Sequence, residues 1–234
     1  MTRSAHSYRI GKSFRFDATR QLSDGRYDGH AFTAEAVLSS SALSPEGFVA
    51  DFGDLRLLRK YIDNALDHQI LNEAVKDPSD TGLGEHLTKW AQDHLPTHVT
   101  AALEAVYVRT GRGQRHSYKS HFVEFEASHR LCGLREGHPC GRLHGHSYVV
   151  SAPAAGARRN REVPVLLRSH LRTAVDGQVL NTIFPGFNPT SEHLAQHCVD
   201  WLVERGMGQE SWGGLCIRVS ETETSWAEYT RRTT

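Results

Sequence analysis

The residues of this chain with the clearest chemical potential lie in one short stretch, EGHPCGRLHGHSY (136–148). His144 and His146 are separated by a single glycine, so on a strand both imidazoles leave the same face. Cys140 stands four residues ahead of the first, near enough to enter the same pocket without being a ligand. This is a metal half-site with a base beside it. Upstream, FEASH (125–129) reads as a second strand with Phe125, Ala127 and His129 on one face, which brings a third imidazole to the other two. Three neutral histidines that leave a fourth position open are the arrangement of catalytic rather than structural zinc. With 15 histidines in 234 residues a His-x-His pair is expected by chance, so it is the neighbouring strand that gives this one weight.

Those segments carry a resemblance. FEASHRL (125–131), GHPCGRLHGHSY (137–148), LNTIFPGFNPTSEHLA (180–195) and SETETSWAEY (220–229) resemble the 6-pyruvoyltetrahydropterin synthase family, and the Cys-x3-His-x-His spacing is closest to its 6-carboxytetrahydropterin synthase branch. The match covers most of 118–234. It implies one zinc ion on His129, His144 and His146, Cys140 as the base, and an Asp-His pair, Asp67 and His68, working with the thiol. It further implies Glu221, with Thr222 beside it, as the pterin-binding residues, Glu223 being the competing carboxylate. A pterin presents a ring N–H next to an exocyclic amine, a fork that suits two parallel bonds to a carboxylate. The implied substrate is 7,8-dihydroneopterin triphosphate, and the implied product is 6-carboxytetrahydropterin or its 6-pyruvoyl relative. Two rival readings are a related lyase on a modified pterin and a pterin- or metal-binding protein without turnover.

Composition sets the outer bounds. At 234 residues, the chain forms one large domain or two of about 115 residues each, either able to bury a core. Lys plus Arg and Asp plus Glu both number 27, so no global field favours nucleic acid or an anionic membrane. No run reaches the ~18 apolar residues of a membrane span, and the start, MTRSAHSYRIGKSF, lacks a signal-peptide core, so the protein is expected in the cytoplasm. Its cysteines, Cys132, Cys140, Cys198 and Cys216, show no CxxC spacing and no disulfide-framework pattern.

The first half reads strand (13–22), turn-rich SDGRYDG, strand (30–39), a turn at SPEG (44–47), then a helix from Asp54 with Leu55, Leu58, Ile62, Leu66 and Ile70 at helical steps. A second helix is expected over 84–95, closed by Pro96, and a strand over 99–110. GRGQRHSYK (111–119) is glycine-rich and cationic and reads as a linker.

The second half repeats the first. FRFDATR (14–20) answers FVEFEASHR (122–130), GHAFTAEA (29–36) answers GHSYVVSA (145–152), and LDHQILN (66–72) answers VDGQVLN (175–181). GEHL (84–87) pairs with SEHL (191–194), and VYVRT (106–110) with RVSET (218–222). The division expected is a degenerate repeat over 1–112 without a metal site and a repeat over 113–234 with zinc and cysteine. Arg20 and Asp28 stand where the second half has His129 and His144, with only His30 answering His146, and Arg109 answers Glu221. Conversely Asp67-His68 has become Asp176-Gly177. The resemblance implies an α+β fold for each repeat, a T-fold of antiparallel sheet backed by two helices. Exposed sheet edges demand pairing, so such units assemble into an oligomeric barrel with sites at repeat boundaries.

Overall fold

The computed structural model describes residues 6–111, 122–153, 159–207 and 214–232, the side chains of 159–161 excepted. The expected linker, apart from Gly111, lies outside them. The architecture is α+β, and the chain packs as two compact units. One takes the described residues of Met1–Ile10, Ser40–Val49 and Tyr118–Thr234; the other takes those of Gly11–Ser39 and Ala50–Ser117.

In the unit built from the first half, strands β1 (His6–Gln21), β2 (Tyr27–Ser40) and β3 (Leu103–Thr110) lie in the order β3-β2-β1, and β1 enters this unit at Gly11. β2 and β3 run antiparallel from Phe32↔Thr110 to Val37↔Ala105, where the register shifts. Asp51 caps a 3-10 turn over Phe52–Leu55, which feeds helix α1 (Arg56–Ala65). Leu55, Leu58, Ile62 and Leu66 are fully buried at three- and four-residue steps, as the pattern predicts. Ile70 departs from it. The chain leaves the helix through His68 at φ 57°, a left-handed residue that ends helices, and Ile70 makes a parallel bridge with Thr19.

After the single-turn α2 (Leu71–Ala74), helix α3 (Asp80–His94) begins four residues before the expected start, because the Ser79 side chain accepts from Gly82 N and caps it there. Beyond it, Pro96 opens another short helix, α4 (Thr97–Ala102), which takes the first residues of the strand expected from Val99.

The other unit orders its strands β1-β8-β7-β5-β4-β6, with residues 6–10 of β1 at one end, then β8 (Ser225–Arg231), β7 (Leu215–Thr222), β5 (His144–Ser151), β4 (Phe122–His129) and the two-residue β6 (Gln178–Val179). β4–β5, β5–β7 and β7–β8 are antiparallel; β4–β6 is parallel. Helices α5 (Arg159–Ala174), α6 (Leu180–Ile183) and α7 (Ser191–Glu204) complete it. Val123, Phe125, Tyr148, Val150, Ile217 and Val219 from the strands meet Leu167, Leu171, Cys198, Val199 and Leu202 from α5 and α7 in one core. Each such aliphatic side chain stabilises the unit by about 1.5–3 kcal/mol when fully buried. No helix of the described residues is long and apolar enough to cross a membrane.

The duplication is written into side-chain locks as well as strands. Asp67 accepts the amide of Asp17 at 2.8 Å, and Asp176 accepts that of Glu126 at 2.9 Å. Asn72 bonds the N–H and C=O of Gln21 at 2.7 and 3.0 Å, as Asn181 does those of Arg130 at 2.9 and 2.8 Å. One pairing read from the letters is corrected. GEHL and SEHL are not equivalent, because α3 and α7 start directly after their capping residues Ser79 and Thr190. DPSD (77–80) therefore answers NPTS (188–191), and Thr81, not Glu85, stands opposite Glu192.

Candidate metal centre

Register alone brings the three histidines together. On the β4–β5 ladder His129 sits opposite His144, and His146 opposite Ala127, so the three side chains share one face within a two-residue span. One nitrogen from each of the three rings can be chosen so that all lie within 4.8 Å of one another. The Nε2 atoms of His129 and His144 are 3.2 Å apart. Gly145, between the two β5 histidines, is needed for the close approach of the strands: a Cβ there would lie 3.2 Å from Ser128 Oγ and 3.3 Å from Ala127 O.

The far side of each ring is held. His129 Nδ1 donates to the carbonyl of Pro189 at 2.8 Å, and His144 Nδ1 to the carbonyl of Arg142 at 2.7 Å. Bonding Nδ1–H this way leaves each Nε2 lone pair aimed into the cluster, the outer-shell device that orients metal-ligating histidines. Burial pushes the pKa of His129 down, with help from His144 and His146, although the Pro189 carbonyl and Glu221 pull the other way. Burial also lowers His146, against the charge of Glu221. Neutral rings with converging lone pairs are what a divalent ion requires. The residues fit a zinc-type ion, and among the described residues this is the group of three or more His, Cys, Asp or Glu with that convergence.

Cys140 lies in a 3-10 turn (Pro139–Gly141), where its amide donates to His138 Nδ1 at 3.2 Å and its carbonyl accepts from Leu131 N at 2.8 Å. Its thiol is half-buried and in no disulfide, and it is not a member of the ligand group. Cys198 and Cys216 are sealed in, their thiols pushed up to about 12 and about 11 chiefly by burial, which leaves them inert as bases at neutral pH. Tyr148, fully buried, is raised by burial, by Glu221 and by Cys140, so its hydroxyl stays protonated 3.4 Å from His129 Nδ1.

Glu221, near the end of β7, accepts from Ser191 Oγ at 3.2 Å, and its charge is felt by His129, His146 and Tyr148. Thr222 turns into the β7–β8 hairpin: its Oγ1 meets Ser225 Oγ at 2.5 Å and accepts from Thr224 N at 3.2 Å. The structure therefore brings His129, His144, His146, Cys140 and Glu221 into one unit. Asp67 and His68 lie in the other. There Asp67 Oδ2 meets His68 Nδ1 at 2.9 Å, and the His68 side chain is 79% exposed. The Asp67 carboxyl is held below its usual range first by the Asp17 amide and then by His68.

The sequence reading missed Glu192. It is 5% exposed, accepts from Val49 N at 3.2 Å, and burial lifts its carboxyl to about 7. A signal was available, because Glu192 stands at helical spacing from Ala195 and Val199 on the buried face of α7.

At the matching place in the first-half unit, Arg20 replaces His129 and fills the position with its own cation. Its guanidinium meets Asp28 at 3.2 Å and Asp80 at 3.1 Å, and donates to Pro78 O at 3.2 Å, just as His129 uses Pro189 O. His30, the one retained imidazole, bonds Asp28 at 2.7 Å.

The crystal structure of the uncharacterized protein WS1659 from Wolinella succinogenes is similar to this chain at 20% identity over 95% of it and 97% of that chain, with a TM-score of 0.25, too low to speak for the fold. The model of the 6-pyruvoyl tetrahydropterin synthase family matches residues 9–121 and again 118–232. The chain belongs to that family, as a tandem of two T-fold repeats.

Proposed function

We propose that this tandem member of the 6-pyruvoyl tetrahydropterin synthase family is a zinc-dependent pterin lyase acting on 7,8-dihydroneopterin triphosphate to give 6-carboxytetrahydropterin. The observation that carries this reading is the convergence of three imidazoles in the unit that also holds a half-buried thiol and Glu221. His129, His144 and His146 would hold the zinc, one per chain. When bound, the ion supplies Lewis-acid polarisation of a substrate oxygen.

The chain's own residues do the rest. Glu221 accepts the pterin ring N–H and exocyclic amine, and Ser191 Oγ orients that carboxylate. Cys140, as thiolate, takes the proton from the side-chain carbon. Tyr148 and the apolar core behind it keep water from the inner side of the histidines. Asp67 fixes the His68 ring, which relays the proton to and from the thiol.

The second repeat carries Gly177 where that imidazole would stand, so the dyad of one repeat serves the Cys140 pocket of a neighbouring repeat in a homo-oligomer. An even number of repeats around a barrel, working in the cytoplasm, completes the reading. Neither nucleic acid nor membrane enters it. The same glycine favours a second reading, a lyase of this type on a modified pterin.

Incubation with 7,8-dihydroneopterin triphosphate and analysis of the products tests both. 6-Carboxytetrahydropterin, lost on chelation of zinc, supports the first. The 6-pyruvoyl compound moves the protein to the sister branch. Unchanged substrate removes this substrate and leaves the modified pterin.

A further inference from the structure

The stretch 188–192 faces two ways. Its odd members serve the metal centre, Pro189 through its carbonyl on His129 and Ser191 through its hydroxyl on Glu221. Its even members hold a short loop from far up the chain. Asn188 Nδ2 donates to Glu46 O at 2.9 Å, Thr190 Oγ1 donates to Gly47 O at 2.9 Å, and Glu192 Oε1 accepts from Val49 N at 3.2 Å.

That loop, 44–49, packs in the same unit although it follows β2 in sequence. It is closed on itself by Gly47 N→Ser44 O at 2.9 Å and Ser44 N→Phe48 O at 2.8 Å, so the three anchors grip a preformed turn. Gly47 lies at φ 94°, and a Cβ there would stand 2.6 Å from His193 Cε1. Only glycine lets the turn lie this close.

The matching stretch of the first repeat, 77–81, keeps the carbonyl of Pro78 on Arg20 but, among the described residues, holds no such loop. Asp77 turns back onto Ser79 N at 3.0 Å, and an exposed Thr81 stands in place of Glu192. A carboxylate taken out of water is costly unless it is bonded where it lies. Glu192 has Val49 N–H and its own N–H for partners, and it is found in the repeat that carries the metal centre.

We propose that residues 44–49 form a strap that positions the pterin-binding wall of the metal centre, and that Glu192 is the positioning residue tying the strap to the Ser191–Glu221 anchor. This rests on Glu221 as the pterin anchor and extends it. The strap sets the height of 188–192, and through Pro189 and Ser191 the orientation of His129 and Glu221.

The test uses full-length, zinc-loaded protein and the variants Gly47→Ala, Glu192→Ala and Glu192→Gln, with 7,8-dihydroneopterin as the binding probe and a chelator competing for zinc. Gly47→Ala and Glu192→Ala should each weaken dihydroneopterin binding about 10-fold and raise KM more than they lower kcat. Both should also weaken zinc, toward the 10-fold loss typical of outer-shell changes. Glu192→Gln keeps an acceptor for Val49 N–H and should stay near wild type. A folded Gly47→Ala with wild-type zinc and dihydroneopterin affinities overturns the strap. Should that variant fail to fold, the Glu192 pair decides, and Gln as damaging as Ala overturns the positioning role. If wild-type protein binds no dihydroneopterin, the pterin reading of Glu221 falls separately, and the zinc affinities alone then uphold or overturn the strap.

Discussion

Positions that hold three imidazoles in the second repeat hold a guanidinium, a carboxylate and one imidazole in the first. The backbone equivalents are preserved to the level of single bonds: Pro189 O takes His129, and Pro78 O takes Arg20. In one repeat the cluster presents lone pairs that could hold a cation from outside. In the other, Arg20 is that cation, neutralised by Asp28 and Asp80. A fixed positive charge with two carboxylates thus fills, in the first repeat, the polar surroundings that hold imidazoles in the second.

The largest test of this asymmetry is Cys140→Ala. Turnover should disappear, falling at least about 10²-fold as for other acid-base groups, while bound zinc measured per chain stays at one. Loss of the zinc would put the thiol among the ligands and undo the separation of base from metal.

His68→Ala comes next. It should slow proton removal on the order of 10²-fold with zinc content unchanged, if the exposed imidazole of the first repeat serves a neighbour's thiol. An enzyme of full activity would leave Asp67 with its lock on Asp17 as its only role.

The comparison is sharpened by reversing it. Arg20→His combined with Asp28→His, beside the existing His30, should raise zinc from one to two ions per chain by metal analysis. A count that stays at one would mean that strand geometry, and not side-chain type, separates the repeats.

The smallest effect concerns Glu192. Its folded-state pKa, about 7, lies above the ordinary value of 4.5, so the folded protein holds the proton more tightly. The stability this gives is complete below pH 4.5 and is lost as pH rises through about 7. By pH 8 the loss reaches up to about 3 kcal/mol, at about 1.4 kcal/mol per pKa unit. His170, pushed down to about 4 by burial and by His197, runs in the opposite sense, its contribution being lost as pH falls. The difference in denaturation midpoint between wild type and Glu192→Gln isolates the glutamate. Glu192→Gln should gain on wild type between pH 5 and 8; parallel curves would contradict the assigned burial.

What could be read from the letters follows from how local each cause is. The histidine cluster was legible because strand alternation puts 144 and 146 on one face and 129 on the next strand. The start of α3 at Asp80 was missed because the residue that sets it, Ser79, lies upstream of the helix expected from Gly84. Ile70 was drawn into α1 by its spacing, although the turn through His68 ends the helix first. The hold of Glu192 on Val49 joins residues far apart in sequence, and no period or motif signals such a contact.

His68 and Gly177 share one more trait, a left-handed backbone, at φ 57° and 71°. Both donate their amide to the strand beside them, His68 to Asp17 O and Gly177 to Glu126 O at 2.6 Å, so the lock dictates the conformation whatever the side chain. An L-residue there carries a strain of about 1–2 kcal/mol that glycine escapes. The second repeat thus carries at this turn the residue its backbone prefers, while the first keeps His68 and with it a standing tension at an exposed corner.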